Sequence, residues 1–133
     1  MITSPLDKYR QSSVQTASPS QLLIKLYDGA IRFVLAGLDG INNKDYQKAN
    51  VNLGKAQTII SELMSTLNNS YDISKNLYDL YEYMNYLLIQ TNIKKTIESG
   101  EEVLGYLQEL RETWVTASKQ MAGMAQNVEA QHG

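Results

Sequence analysis

The chain has 133 residues, enough for one domain, and its 12 basic against 14 acidic residues leave it close to neutral with no basic cluster to hold nucleic acid. It has no cysteine, which excludes thiolate nucleophiles, Cys-ligated metals and disulfide frameworks. The single histidine, His132, lies next to the C-terminus, so Glu-x-x-His pairs of the di-metal bundle type are excluded too.

Residues 1–17 show little periodicity and are rich in Ser, Thr and Gln, and they read as an extended or partly mobile arm. The opening MITSPLDKYR has no apolar h-region, and no apolar run reaches the ~20 residues of a membrane span. Neither secretion nor membrane insertion is expected, and a cytoplasmic location is the default.

The first long helix starts sharply. Ser18 suits an N-cap, Pro19 the first helical position and Gln21 the return bond of a capping box. It is expected to reach about Leu38–Ile41. Its charged residues Lys25, Asp28, Arg32 and Asp39 share a narrow sector. The remaining arc includes Leu22, Leu23, Leu26, Tyr27, Ala30, Phe33, Val34, Gly37 and Leu38, flanked by Ile24, Ile31 and Leu35. It is wider than one helix–helix seam requires. Gly29 and Gly37 inside it read as points of close helix approach. Helix two is expected over about Asp45–Asn68, with a core stripe of Ala49, Leu53, Ala56, Ile60, Leu63, Met64 and Leu67. Asn68-Asn69-Ser70 is a turn cluster.

Helix three, from near Asp72 to about Ile97, carries two stripes. Ile73, Leu77, Leu80, Tyr81, Met84, Leu87 and Leu88 form one, suited to a core. Tyr78, Tyr86, Ile89 and Ile93 fall roughly opposite, interleaved with Lys75, Asp79 and Glu82. Ser99-Gly100-Glu101-Glu102 is a second capping-box pattern and opens helix four, whose core stripe is Val103, Leu107, Leu110, Trp114, Ala117, Met121 and Met124. Past about Ala122 little is left to pack, and residues 123–133 are expected to fray. Four helices joined by short loops predict an all-α, antiparallel up-down four-helix bundle in a single domain.

Chemistry is scarce. Asp28, Asp79, Glu82, Glu109 and Glu112 sit off the core stripes and read as solvated faces, so no metal or other cofactor is expected. Ser18-Pro19-Ser20 has no neighbouring base and reads as a cap. No Gly-rich phosphate loop is present. An enzyme is therefore not expected. The chain has nine Tyr against one Phe and one Trp. Tyrosine joins an apolar body to a polar tip, which suits a surface that is soluble alone yet binds well. Tyr27, Tyr81 and Tyr83 have two readings, as core or boundary residues or as partner contacts, while Tyr78 and Tyr86 point off the core. A binding protein is the favoured class. Its alternative is a generic helical adaptor or a self-associating structural protein, such as a homodimer, burying its spare faces on a second copy.

Several motifs fall in a familiar order. Thr16-Ala17-Ser18-Pro19 is followed by Leu22 and by Leu26-Tyr27-Asp28-Gly29-Ala30. Lys55-Ala56-Gln57-Thr58-Ile59-Ile60-Ser61-Glu62-Leu63 comes next, then Leu80-Tyr81-Glu82-Tyr83-Met84, then Arg111 with Trp114. With Tyr9 in the arm, this pattern over about residues 9–115 resembles the flagellin-export chaperone (FliS) family. The resemblance implies an antiparallel four-helix bundle that binds the disordered C-terminal segment of flagellin in the cytoplasm. Binding would block premature polymerisation and keep the client ready for flagellar type III export. The export gate and other flagellar assembly factors are implied as further partners, and the arm as a cover for part of the groove. Combining this with the helical wheel gives a candidate partner-binding set. It comprises Ile24, Tyr27, Ile31 and Leu35 on helix one, Tyr78, Tyr86, Ile89 and Ile93 on helix three, and Tyr9, which comes from the resemblance.

Overall fold

In a computed structural model, residues 19–68 and 71–132 are described, so the arm, Tyr9, the Ser18 cap and Asn69-Ser70 lie outside the described residues. The helices are α1 (Pro19–Asn42), α2 (Tyr46–Ser65), α3 (Asp72–Lys94) and α4 (Glu98–His132). α1 packs on α2 and α4, and α3 packs on the same two. The helices thus form a ring in chain order, with α1 and α3 on one diagonal and α2 and α4 on the other. Short connections between sequential neighbours make this the expected up-down bundle.

The α1–α2 corner is tight. Asp45 donates its N–H to the Gly40 carbonyl at 2.7 Å and Lys44 to that of Ile41 at 3.1 Å, a Schellman pair that places Lys44 in the left-handed region at φ 57°. The Asp45 carboxylate then accepts from the Lys48 N–H at 3.1 Å and caps α2. Such a corner brings the helices close. A Cβ on Gly40 would lie 2.7 Å from the Ala49 nitrogen, and one on Gly37 2.7 Å from Leu53 Cδ2. Gly37, and Gly29 against Ile59, therefore serve the close approach expected of them.

Three helix ends differ from expectation. α2 stops at Ser65 rather than Asn68: the Ser65 and Thr66 hydroxyls donate to the Glu62 and Leu63 carbonyls, each at 2.7 Å, and compete with the backbone ladder. α3 stops at Lys94 rather than Ile97, because Lys95 turns left-handed at φ 52°. Its ammonium is held there by Asn50 Oδ1 at 2.5 Å and the Asn92 carbonyl at 2.7 Å. α4 starts at Glu98, so Ser99 is inside the helix and caps nothing. The Glu101 N–H bonds the Ile97 carbonyl at 2.9 Å, and the Ser99 hydroxyl instead meets that of buried Thr91 at 2.7 Å.

The core follows the predicted stripes. Leu26, Ala30, Val34, Leu38 and Ile41 of α1 meet Ala49, Leu53, Ala56, Ile59, Ile60 and Leu63 of α2. Tyr81, Met84, Leu87 and Leu88 of α3 and Val103 and Leu107 of α4 complete it. Met64, Leu67, Leu77, Leu80, Leu110 and Trp114 pack against it half-buried, and two stripe members among the described residues are exposed. Ile73 is 66% exposed and Met121 67%. α4 has 35 residues against 23 in α3. Running back from Glu98 opposite Lys94, it passes the start of α3 near Gln120. Met121 points along the core direction at a height where α3 no longer reaches. The α4 backbone is helical to His132, past the Ala122 where fraying is expected, in keeping with the high helix propensity of its Ala, Gln, Met and Glu residues.

Candidate binding surface

At the centre of the bundle three aromatic side chains meet. The hydroxyls of Tyr27 and Tyr81 hydrogen-bond to each other across the α1–α3 diagonal, and the Trp114 indole N–H donates to the Tyr27 oxygen at 3.2 Å. Burial pushes both phenol pKa values up, so the pair stays neutral. Beside it, the Arg111 guanidinium of α4 donates to the Asp28 carboxylate of α1. The Tyr27–Asp28, Tyr81 and Arg111–Trp114 motif residues thus converge on one tie between three helices. This corrects the expectation for Tyr27. It has no exposed surface, its hydroxyl has partners on α3 and α4, and it belongs to the scaffold rather than to the binding surface. Tyr83, the third tyrosine with a core reading, is 44% exposed.

The second stripe of α3 does face outward. Tyr78 is 43% exposed, Tyr86 55%, Ile89 43% and Ile93 71%. Tyr71, the residue before the helix, is exposed as well. Tyr78 and Ile89 share a flank with Asn85, which reaches Ser61 of α2 at 3.2 Å, so this part of the stripe leans towards α2. The Asn85 Oδ1 is buried there without a partner.

The α1 members behave differently. Leu35 is exposed, whereas Ile24 and Ile31 are half-buried, Ile31 against the core. Leu35 lines a shallow groove of about 490 Å³ between α1 and α4, with Leu38, Asn42, Leu104 and Gln108. Since α1 and α3 are diagonal, the two halves of the candidate set are on opposite sides of the bundle. A single ligand touches both only by passing around it.

A further feature escaped the sequence reading. Tyr83 stacks on Tyr86 with ring centroids 6.4 Å apart, and Tyr106 of α4 lies 6.5 Å from Tyr83 at a tilt of 52°. The row is anchored by Glu102, which accepts the Tyr106 hydroxyl at 2.6 Å and pushes that phenol up to about 12. The available signal was the i, i+4 spacing of Glu102 and Tyr106, which faces two side chains to each other on a helix.

These surfaces are grooves and faces, with apolar floors and carboxylate rims. Among the described residues no three His, Cys, Asp or Glu side chains are placed to hold a metal ion, and no helix is long and apolar enough to cross a membrane.

Comparison with known proteins agrees in family. A family model described as flagellar protein FliS matches residues 2–121. A flagellar secretion chaperone FliS of Bacillus subtilis is 40% identical over 116 residues, 87% of each chain. The protein of that name from Salmonella typhimurium is 34% identical over 107 residues, covering 78% of this chain and 79% of its own. Flagellar secretion chaperone FliSB of Pseudomonas aeruginosa is 25% identical over 115 residues, 82% of this chain and 91% of its own.

Proposed function

The chain belongs to the FliS family of flagellar proteins, whose curated members are named as chaperones and not as enzymes, and on that premise we propose that it is a cytoplasmic flagellar export chaperone. Its client is the disordered C-terminal segment of flagellin. Holding that segment blocks premature polymerisation and keeps it competent for type III export, where the export gate and other flagellar assembly factors are further partners.

The observation that carries this reading is the outward stripe of Tyr78, Tyr86, Ile89 and Ile93 on α3, with Leu35 exposed on the opposite side. A rigid partner would cover one side. A disordered chain covers both, and it needs a large apolar surface to offset the entropy it loses on ordering. Fifty extended residues reach roughly 170 Å, ample to pass around a bundle whose shorter helices are about 30–35 Å long.

The test is calorimetric titration of the full chain with the last ~50 residues of flagellin, a length that allows wrapping. One-to-one binding with a large negative heat-capacity change is expected. Tyr86→Asp should weaken it by at least about tenfold, as for loss of an interface aromatic, with the helical circular dichroism unchanged. No binding by a folded chain refutes the reading. A concentration-dependent dimer that flagellin does not dissociate favours the self-associating alternative.

A further inference from the structure

The groove between α3 and α4 has about 660 Å³ of open volume. Leu80, Leu110 and Ala117 line it, Tyr106 closes one end, and Glu109 and Glu112 stand along its edge. The row of Tyr83 and Tyr86 continues from Tyr106 onto α3. This groove opens on the α4 side of α3, away from the flank where Tyr78 and Ile89 lean towards α2.

Its charge is one-sided. Glu98, Glu101, Glu102, Glu109 and Glu112 crowd the first half of α4, and the single cation among them, Arg111, is directed away to Asp28 of α1. Glu101, Glu102, Glu109 and Glu112 are all exposed, and together with Tyr106 they line a continuous surface. A carboxylate rim beside half-buried Tyr106 and exposed Tyr83 is the complement of arginine, which pairs with the first and stacks on the rings. The apolar floor asks for leucine-like side chains at helical spacing. From Tyr106 to Gln120 the groove runs about 21 Å, or about four helical turns.

We propose that the α3–α4 groove docks a basic amphipathic helix of a second protein, separately from the flagellin segment. Its apolar stripe lies on Leu80, Leu110 and Ala117, and its flanking arginines reach Glu109, Glu112 and the faces of Tyr83 and Tyr106. The groove lets the chaperone hold a client and a second factor together.

The test uses the full chain and three labelled peptides of about 18 residues, long enough to span those turns. One has a leucine stripe flanked by arginines, one has the same composition scrambled, and one has glutamate for each arginine. Fluorescence anisotropy should show the first binding at least about tenfold tighter than either control, weakening as salt rises from about 0.05 to 0.5 M. Glu109→Lys with Glu112→Lys should abolish that preference, and Glu109→Gln with Glu112→Gln should reduce it. Both should leave affinity for the flagellin segment unchanged, so failure here is distinguishable from failure of the chaperone reading. Equal binding of the three peptides overturns the proposal. So does displacement of the basic peptide by the flagellin segment, or a groove occupied by a second copy in sedimentation.

Discussion

Gly40 and Gly54 are both helix-internal, and the same substitution should move stability in opposite directions. An alanine at 40 places its Cβ 2.7 Å from the Ala49 nitrogen, 2.9 Å from the Asp45 oxygen and 3.2 Å from the Ala49 Cα. All three are backbone atoms in a corner fixed by the 2.7 Å bond from Asp45 to Gly40, so no rotamer change makes room. α1 and α2 must separate by several tenths of an ångström. Overpacking costs about 1–3 kcal/mol, and backbone on both sides puts this site at the upper end. The helix-propensity gain of alanine over glycine returns about 1 kcal/mol, leaving Gly40→Ala destabilised by about 2 kcal/mol. At Gly54 a Cβ meets nothing within 4 Å, so only the gain of about 1 kcal/mol remains. Urea unfolding followed by far-ultraviolet circular dichroism should separate the two midpoints by about 2 M, taking a slope of about 1.5 kcal/mol per molar. A Gly40→Ala midpoint at or above wild type would refute the packing argument, and a lowered Gly54→Ala midpoint would mean α2 has a neighbour on that side.

Tyr27→Phe removes the hydroxyl that serves both Tyr81 and Trp114, and should cost about 1–2 kcal/mol. Tyr81→Phe leaves Tyr27 bonded to Trp114 and should cost less. A double mutant as costly as the sum of the singles would show that the two hydroxyls are not coupled. The Tyr106 phenol is raised above its unfolded value of 10.0 to about 12, mainly by its bond to Glu102. That contribution is complete below pH 10 and is lost as pH rises from 10 to 12, because the folded state holds the proton more tightly. Glu102→Gln should bring the Tyr106 ionisation back down in a spectrophotometric titration referenced to Tyr106→Phe, and an unchanged curve would rule out the pairing. Ending the chain after Gln120 should shift the urea midpoint by no more than about 0.5 kcal/mol equivalent, as for surface changes, since α4 has no α3 beside it there. A larger loss would mean the overhang packs on the bundle.

Helix number, order and the identity of most core positions were legible, because apolar spacing reports which way each side chain points. It does not report whether a neighbour reaches that height. Ile73 and Met121 lie on correctly read stripes and are exposed because the packed core stops short of them. Helix ends were less legible, since they turn on single residues such as Lys95 entering the left-handed region and Ser99 bonding Thr91 rather than capping. The outward stripe of α3 was visible as surplus apolar surface. The two readings of Tyr27 on α1, core or partner contact, could not be separated, because the hydroxyl that ties it into the scaffold belongs to Tyr81, 54 positions away. Tyr106 was missed because its ring neighbour Tyr83 is on another helix.

Trp114 is the sole indole in the chain, and its N–H is tied to Tyr27 where α1, α3 and α4 meet. Its emission is therefore a built-in gauge of the bundle interior. A client that only wraps the outside leaves the spectrum where it was. One that wedges between the helices breaks the indole bond, admits water and shifts the emission to the red, so one unlabelled fluorimeter trace distinguishes a wrapped scaffold from an opened one.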